Sequence, residues 1–345
     1  MKIRLLSIVL VAVLLFSMVS CNFFNNEKDE EEAPKGEATP INIYTLNGTT
    51  GFGMAKLMND AKAGTTTQKY AFNVKADASD VTAAILNGSA DIAALPTNAA
   101  ANLYNKSNGG VVVLAVNTLG CLYLLTNQNA TINSFDDLRG KTVYAPAQNP
   151  TFIFTYLCRQ NGLEIGKDIT IDSTTYAQPA ALKDAVAAGM VDIAVLPEPM
   201  VTIAINAAKS TNNGTVITNA MDLTAEWNNV SPEGSLVQGC VVVRRAFLEA
   251  NPKAVENFLS EYKTSIEYLS TDLDSASQMI VDNGIFTNAG VAKKALPNCN
   301  VCFLDGEAMK TAMETYLGVL YGINANSIGG KLPADDFYYA RKTTE

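Results

Sequence analysis

Apolar positions along the chain follow two periods that alternate. Residues 41–46 alternate as a strand and are followed by a Gly/Thr turn. Phe52, Ala55, Met58 and Ala61 then recur at the three- to four-residue spacing of a helix with one apolar face. A strand over 70–74 comes next. Asp80 is placed to cap a helix that Gly88 closes, and 91–95 reads as a buried strand. The order returns further on: strand 141–145, helix 151–161, strand 169–172, a helix with Pro179 in its first turn and Gly189 at its end, and strand 192–196. Alternation of this kind predicts an α/β protein with parallel sheets covered on both faces. Further strands are expected at 111–117, 122–126, 214–218 and 240–243. Asn251-Pro252 starts a helix bearing Val255, Phe258, Leu259, Tyr262, Ile266 and Leu269 on one face, and 305–321 forms another, stopped by Gly322.

The two halves of this pattern are related. Gly88-Ser89-Ala90-Asp91-Ile92-Ala93-Ala94-Leu95-Pro96 reappears as Gly189-Met190-Val191-Asp192-Ile193-Ala194-Val195-Leu196-Pro197, 101 residues later. Upstream, Ile43-Tyr44 before Gly48-Thr49-Thr50-Gly51-Phe52 corresponds to Val143-Tyr144 before Asn149-Pro150-Thr151-Phe152. Two doubly wound α/β lobes are therefore expected, with a ligand cleft between them. The first lobe is assigned 41–130 plus 236–345 and the second 131–235, with crossings near 127–133 and 230–238. In open α/β sheets ligands lie beyond the carboxyl ends of the strands. That rule selects Asn47, Gly48, Thr49, Thr50, Gly51 and Phe52, with Thr97 and Asn98, as the first lobe's candidates. The second lobe supplies Gln148, Asn149, Thr151 and Glu198. A Gly48–Gly51 loop ahead of a helix offers backbone N–H groups and a positive dipole end, suited to a carboxylate, a sulfonate or a ring acceptor.

The amino terminus reads as an address. Lys2 and Arg4 precede an apolar run over 5–19, shorter than the ~20 residues of a membrane span, so 1–20 is expected to be a signal peptide. Met18-Val19-Ser20-Cys21 resembles a bacterial lipobox, which implies cleavage before Cys21 and a lipid on its sulfur; the alternative is an ordinary signal peptide with an incidental cysteine. Residues 21–40 are acidic and poor in large apolar side chains, as expected of a solvated tether.

Composition then removes whole classes of function. Among 345 residues there is no histidine, which excludes Ser-His-Asp triads, imidazole zinc cages and histidine pH switches. A net charge of −9 argues against nucleic-acid binding. Cys121, Cys158 and Cys240 sit in apolar stretches as expected core thiols. Cys299 and Cys302 form a CxxC that lacks the strand-to-helix context of a redox motif, leaving a short-loop disulfide or free thiols. No metal site and no cofactor are expected.

Several motifs in order carry a family resemblance. They are Thr45-Leu46-Asn47-Gly48-Thr49-Thr50-Gly51-Phe52-Gly53-Met54, Ala90 to Asn98, Asn117-Thr118-Leu119-Gly120, Asp137-Leu138-Arg139-Gly140-Lys141, Asp192 to Pro199, and Ser327-Ile328-Gly329-Gly330-Lys331-Leu332-Pro333 with Phe337-Tyr338-Tyr339. Together they resemble the solute-binding proteins of ABC importers, in the nitrate/sulfonate/taurine/thiamine-pyrimidine-precursor group with the type II periplasmic-binding fold. Thr49 stands where one branch of that group carries proline. The resemblance implies an extracytoplasmic, lipid-anchored, non-catalytic monomer. It would close on a small solute (a sulfonate, a carboxylate or a heterocycle such as a pyrimidine) and deliver it to a permease with its ATPase. A ligand-presenting sensor and an enzyme on the same fold are the alternatives. Glu198, between two prolines, suits either a cleft acceptor or a solvated loop carboxylate. Trp227 suits either ligand stacking or packing, and so does Tyr176. Gln238, near the second crossing, is placed to reach the cleft.

Overall fold

The computed structural model describes residues 39–211 and 214–340; the expected signal peptide, Cys21 and nearly all of the tether lie outside the described residues. Strands follow in the order β1 (Ile41–Leu46), β2 (Tyr70–Lys75), β3 (Ile92–Pro96), β4 (Val111–Thr118), β5 (Leu122–Asn127), β6 (Thr142–Tyr144), β7 (Thr170–Asp172), β8 (Ile193–Pro197), β9 (Ile217–Asp222), β10 (Gly239–Arg244) and β11 (Val301–Leu304). They build two sheets, β11-β4-β10-β3-β1-β2 and β7-β6-β8-β5-β9.

The repeat is visible in these orders. Each sheet holds a 2-1-3-4 set of its own strands with one foreign strand inserted before the fourth: β10 in the first, β5 in the second. Both foreign strands run antiparallel to their neighbours, whereas β1–β2, β1–β3, β6–β7 and β6–β8 are parallel. The sheets are therefore mixed, not wholly parallel as the alternation suggests. A chain arriving from the other lobe enters at the carboxyl ends of the resident strands and can only run back away from them.

The first crossing is earlier than expected. β4 belongs to the first sheet and β5 to the second, so the chain passes over at 119–121 and not at 127–133. β5 is buried along its whole length, and its apolar run reads the same in either sheet. The local signal is Gly120. A β-carbon there would collide with the Thr224 hydroxyl and lie 2.6 Å from Leu236 Cδ2, because the outgoing and returning segments pack against each other. The return follows helix Leu223–Val230 and leads into β10.

The motif shared by the repeats anchors the foreign strands. Asp91, at the start of β3, accepts from Asn42 N at 3.0 Å and pairs with Arg244 of β10 at 2.8 Å. Asp192, at the start of β8, accepts from Asn127 Nδ2 of β5 at 2.7 Å and from Asn129 Nδ2 at 3.0 Å. Both aspartates stand at the amino ends of their strands, opposite the cleft end, so the most legible motif of the sequence is structural.

Around the second sheet, Leu182, Val186, Leu196 and Val201 form a separate apolar cluster. Helix Pro252–Tyr268 covers one face of the first sheet with Val255, Phe258, Leu259, Tyr262 and Ile266, as its periodicity predicts. Trp227 is fully buried, donates Nε1 to Ser235 Oγ at 2.8 Å, and lies between the rings of Tyr156 and Tyr316. The packing alternative holds for it. No described helix is long and apolar enough to cross a membrane.

Candidate functional site

Four loops follow β1, β3, β6 and β8, and hydrogen bonds join them across the two sheets. Asn149 Nδ2 donates to Asn98 Oδ1 at 2.8 Å. Thr49 Oγ1 donates to the Glu198 carbonyl at 2.9 Å. Each bond links one repeat to the other. Beside the Asn98–Asn149 pair lies a cavity of about 620 Å³ whose lining includes Asn98, Asn102, Gln148, Phe152 and Asn326.

Thr97 and Asn98 follow β3 directly, and both are buried. Thr97 gives its N–H to the Gln238 carbonyl at 3.1 Å, and its hydroxyl meets the Cys240 thiol. Asn149 keeps a buried amide oxygen without a protein partner. A buried polar atom left unpaired costs free energy. Gln148, exposed, precedes Asn149 with φ 69° and ψ −126°.

Other expected residues make contacts within the protein. Phe52 is fully buried, its ring edge-on to Phe286 at 6.0 Å, because the one-turn helix Thr49–Phe52 points it into the first lobe's core. Gly51 is required by packing: a β-carbon there would strike the Leu46 carbonyl and sit 2.9 Å from Ile285 Cγ2. The N–H of Gly48 is given to the Ile285 carbonyl and that of Gly51 to the Gly48 carbonyl, both at 3.0 Å, so these two amides are not free for a ligand. Asn47 is exposed, with its N–H paired to the Lys75 carbonyl, and the Thr50 carbonyl accepts from Asn117 Nδ2. Thr151 closes its own loop by donating to the Pro146 carbonyl at 2.7 Å. Tyr176 packs edge-on against Tyr144 at 5.7 Å. Gln238 is a strut between the crossings: Oε1 accepts from Cys121 N at 2.7 Å, and its N–H goes to the Thr118 carbonyl.

Glu198 is buried, which removes the solvated-loop alternative. Its carboxylate accepts from Thr202 N at 3.1 Å and Thr202 Oγ1 at 2.9 Å. Burial still pushes its carboxyl above the ordinary range, against those hydrogen bonds and one from Asn298, which lower it.

The residues around 298–300 are a contribution that pattern reasoning missed. Tyr123 of β5 donates to the Asn298 carbonyl at 3.0 Å, Asn300 Nδ2 donates to the Gly120 carbonyl, and Thr49 Oγ1 lies 3.8 Å from Cys299 Sγ. The CxxC spacing drew attention to sulfur, whereas the neighbouring amides and carbonyls link the lobes. Cys299 and Cys302 are both free thiols. Burial raises Cys121, Cys158, Cys240 and Cys302 to about 12, which keeps them protonated and inert. Among the described residues no group of three or more metal-binding side chains occurs.

Comparison with known proteins agrees with this geometry. An ABC transporter structure from Parabacteroides distasonis superposes with a TM-score of 0.72 at 22% identity, over 88% of this chain and 100% of that one. The periplasmic aliphatic sulphonate binding protein SsuA from Escherichia coli gives a TM-score of 0.69 at 15% identity, over 89% and 94%. The periplasmic nitrate-binding protein NrtA from Synechocystis PCC 6803 gives 0.57 at 14% identity, over 85% and 84%. These likenesses establish the type II periplasmic-binding fold. No curated protein sequence matches the chain. The family model described as "ABC transporter, phosphonate, periplasmic substrate-binding protein" matches residues 54–284. That match spans well over half of the chain, which therefore belongs to this family of periplasmic substrate-binding proteins of ABC transporters.

Proposed function

We propose that this extracytoplasmic substrate-binding component of an ABC importer captures one small solute between its lobes, at the loops after β1, β3, β6 and β8, and delivers it to the permease without chemical change. The observation that carries the reading is the Asn98–Asn149 hydrogen bond beside the cavity, since it unites equivalent ends of the two repeats. Thr49, Thr97, Asn98, Gln148, Asn149 and Glu198 are the residues we assign to contact or enclosure. None of them is cationic, so hydrogen bonds from these residues are what would hold an anionic head. A phosphonate, sulfonate or carboxylate head meets amides and hydroxyls there, and so does a heterocycle such as a pyrimidine. The absence of histidine and the protonated, buried thiols favour binding over catalysis.

A solute that binds only the folded state raises the unfolding midpoint by mass action. One chemical class among phosphonates, sulfonates, carboxylates and pyrimidines should therefore shift Tm upward by several degrees at millimolar concentration; a flat response across all four contradicts the reading. We further propose that the protein is a monomer tethered to the membrane by a lipid on Cys21. Palmitate labelling should mark the wild type and spare Cys21→Ala, and equal labelling removes the anchor.

A further inference from the structure

We infer that Gln148 determines which solute is accepted, and that the amide-lined cavity it borders receives an uncharged hydrogen-bonding portion of that solute. The inference rests on the binding reading above and adds a residue and a chemistry to it.

The first observation is conformational. Gln148 has φ 69° and ψ −126°, a combination that residues with a β-carbon avoid. Among the described residues two other non-glycine residues have positive φ, Asn108 and Asn300, and both are asparagines, the type that tolerates such backbone best. The second observation is the repeat. At the equivalent position of the first lobe stands Gly48, with φ 83° and ψ −160°, also directly ahead of a helix. The turn itself thus needs only glycine, and the second lobe keeps a side chain there against the backbone's preference. Strain of this kind persists where the side chain has a use.

The third observation says what the use is. Gln148 is exposed yet lines the cavity of about 620 Å³, together with Asn98, Asn102, Asn326 and Phe152. The cavity lining carries no carboxylate, and its single charge is Lys106. Amides offer a donor and an acceptor on one group. A hydroxyl, amide or ring nitrogen of the solute can pair with them in either sense, and Phe152 and Leu103 suit a short carbon stem.

The test compares wild type with Gln148→Gly, which copies the first lobe. The probes are ethanesulfonate against 2-hydroxyethanesulfonate, ethylphosphonate against 2-hydroxyethylphosphonate, and cytosine. Without solute, Gln148→Gly should melt higher than wild type, because the strain is gone. With solute it should lose at least about tenfold in affinity, the worth of one well-made hydrogen bond. It should also lose the wild type's preference for the hydroxylated member of a pair. Gln148→Asn, which tolerates the backbone and keeps a shorter amide, should recover part of that preference. Unchanged affinity in Gln148→Gly overturns the assignment while leaving the binding reading intact. A lower melting point without solute overturns the strain argument. Failure of every probe to bind wild type overturns this assignment, and a flat response to carboxylates as well overturns the binding reading.

Discussion

The two lobes make the same turn with different residues. In the first, strand β1 ends at Leu46, and the short helix behind it comes so close that only Gly51 fits over the Leu46 carbonyl. In the second, the corresponding carbonyl is that of Pro146, and Thr151 stands where Gly51 does, donating its hydroxyl to it at 2.7 Å. The first helix, Thr49–Phe52, is one turn long and sinks Phe52 into the core; the second, Asn149–Gln160, runs for three turns. Repetition has preserved the path of the chain and let the chemistry diverge. The first lobe fixes its loop by contact, and the second fixes it by a hydrogen bond and a strained glutamine.

Exchanging these residues should expose the difference. Gly51→Thr, which copies the second lobe, places a β-carbon against backbone that cannot move without shifting β1; it should cost about 4 kcal/mol or more. The reciprocal Thr151→Gly loses one hydrogen bond and some chain stiffness, about 1–2 kcal/mol. Urea unfolding of both variants measures the asymmetry, and equal costs would refute it.

Strand anchoring gives the next largest contrast. Asp91→Ala leaves Arg244 without its partner in a site where the carboxylate is almost enclosed, and should destabilise by about 3 kcal/mol. Asp192→Ala releases two asparagine side chains nearer to solvent and should cost about 1 kcal/mol. The same unfolding experiment decides it, and a larger loss in Asp192→Ala would reverse the account.

The bonds between the lobes come third. Thr49→Val removes the hydroxyl that reaches the Glu198 carbonyl, for about 1 kcal/mol. It should loosen closure more than stability, seen as a larger radius of gyration in solution scattering. An unchanged radius with unchanged solute affinity would show that this bond does not hold the lobes.

The smallest effect is one of pH. Burial raises the Glu198 carboxyl, so the folded state binds that proton more readily than the unfolded chain does. The stability tied to it is fully present below the ordinary carboxylate range and is lost as pH rises through the raised value. Wild type therefore gains on Glu198→Gln as pH falls from about 7 to about 4. A difference in Tm between the two proteins that is flat over that range contradicts the shift.

These contrasts also show what was legible in the chain. Strand and helix periods, together with the shared Gly-x-x-Asp-Ile-Ala-x-Leu-Pro, carried the α/β class and the two-lobe plan, because periodicity is local and survives duplication. The crossing at Gly120 was not legible, since an apolar strand such as β5 suits either sheet and only the packing against Thr224 and Leu236 assigns it. Position after a strand selected Thr49, Asn98 and Asn149, whose hydrogen bonds join the two repeats. The same rule also gathered Gly51 and Phe52, whose side-chain directions depend on how deep a one-turn helix sits. Asn298 and Asn300 reach the lobe junction from about 180 residues away in sequence, and no local pattern announces such a contact.

The central claim is that loops from both repeats enclose one solute. Titration calorimetry on the purified protein, with the solute class that raises Tm, tests it most directly. The account predicts one solute per chain, and an affinity at least about tenfold weaker when Asn98→Ala and Asn149→Ala are combined in a protein that still folds. Binding of the same strength in that double variant would contradict it.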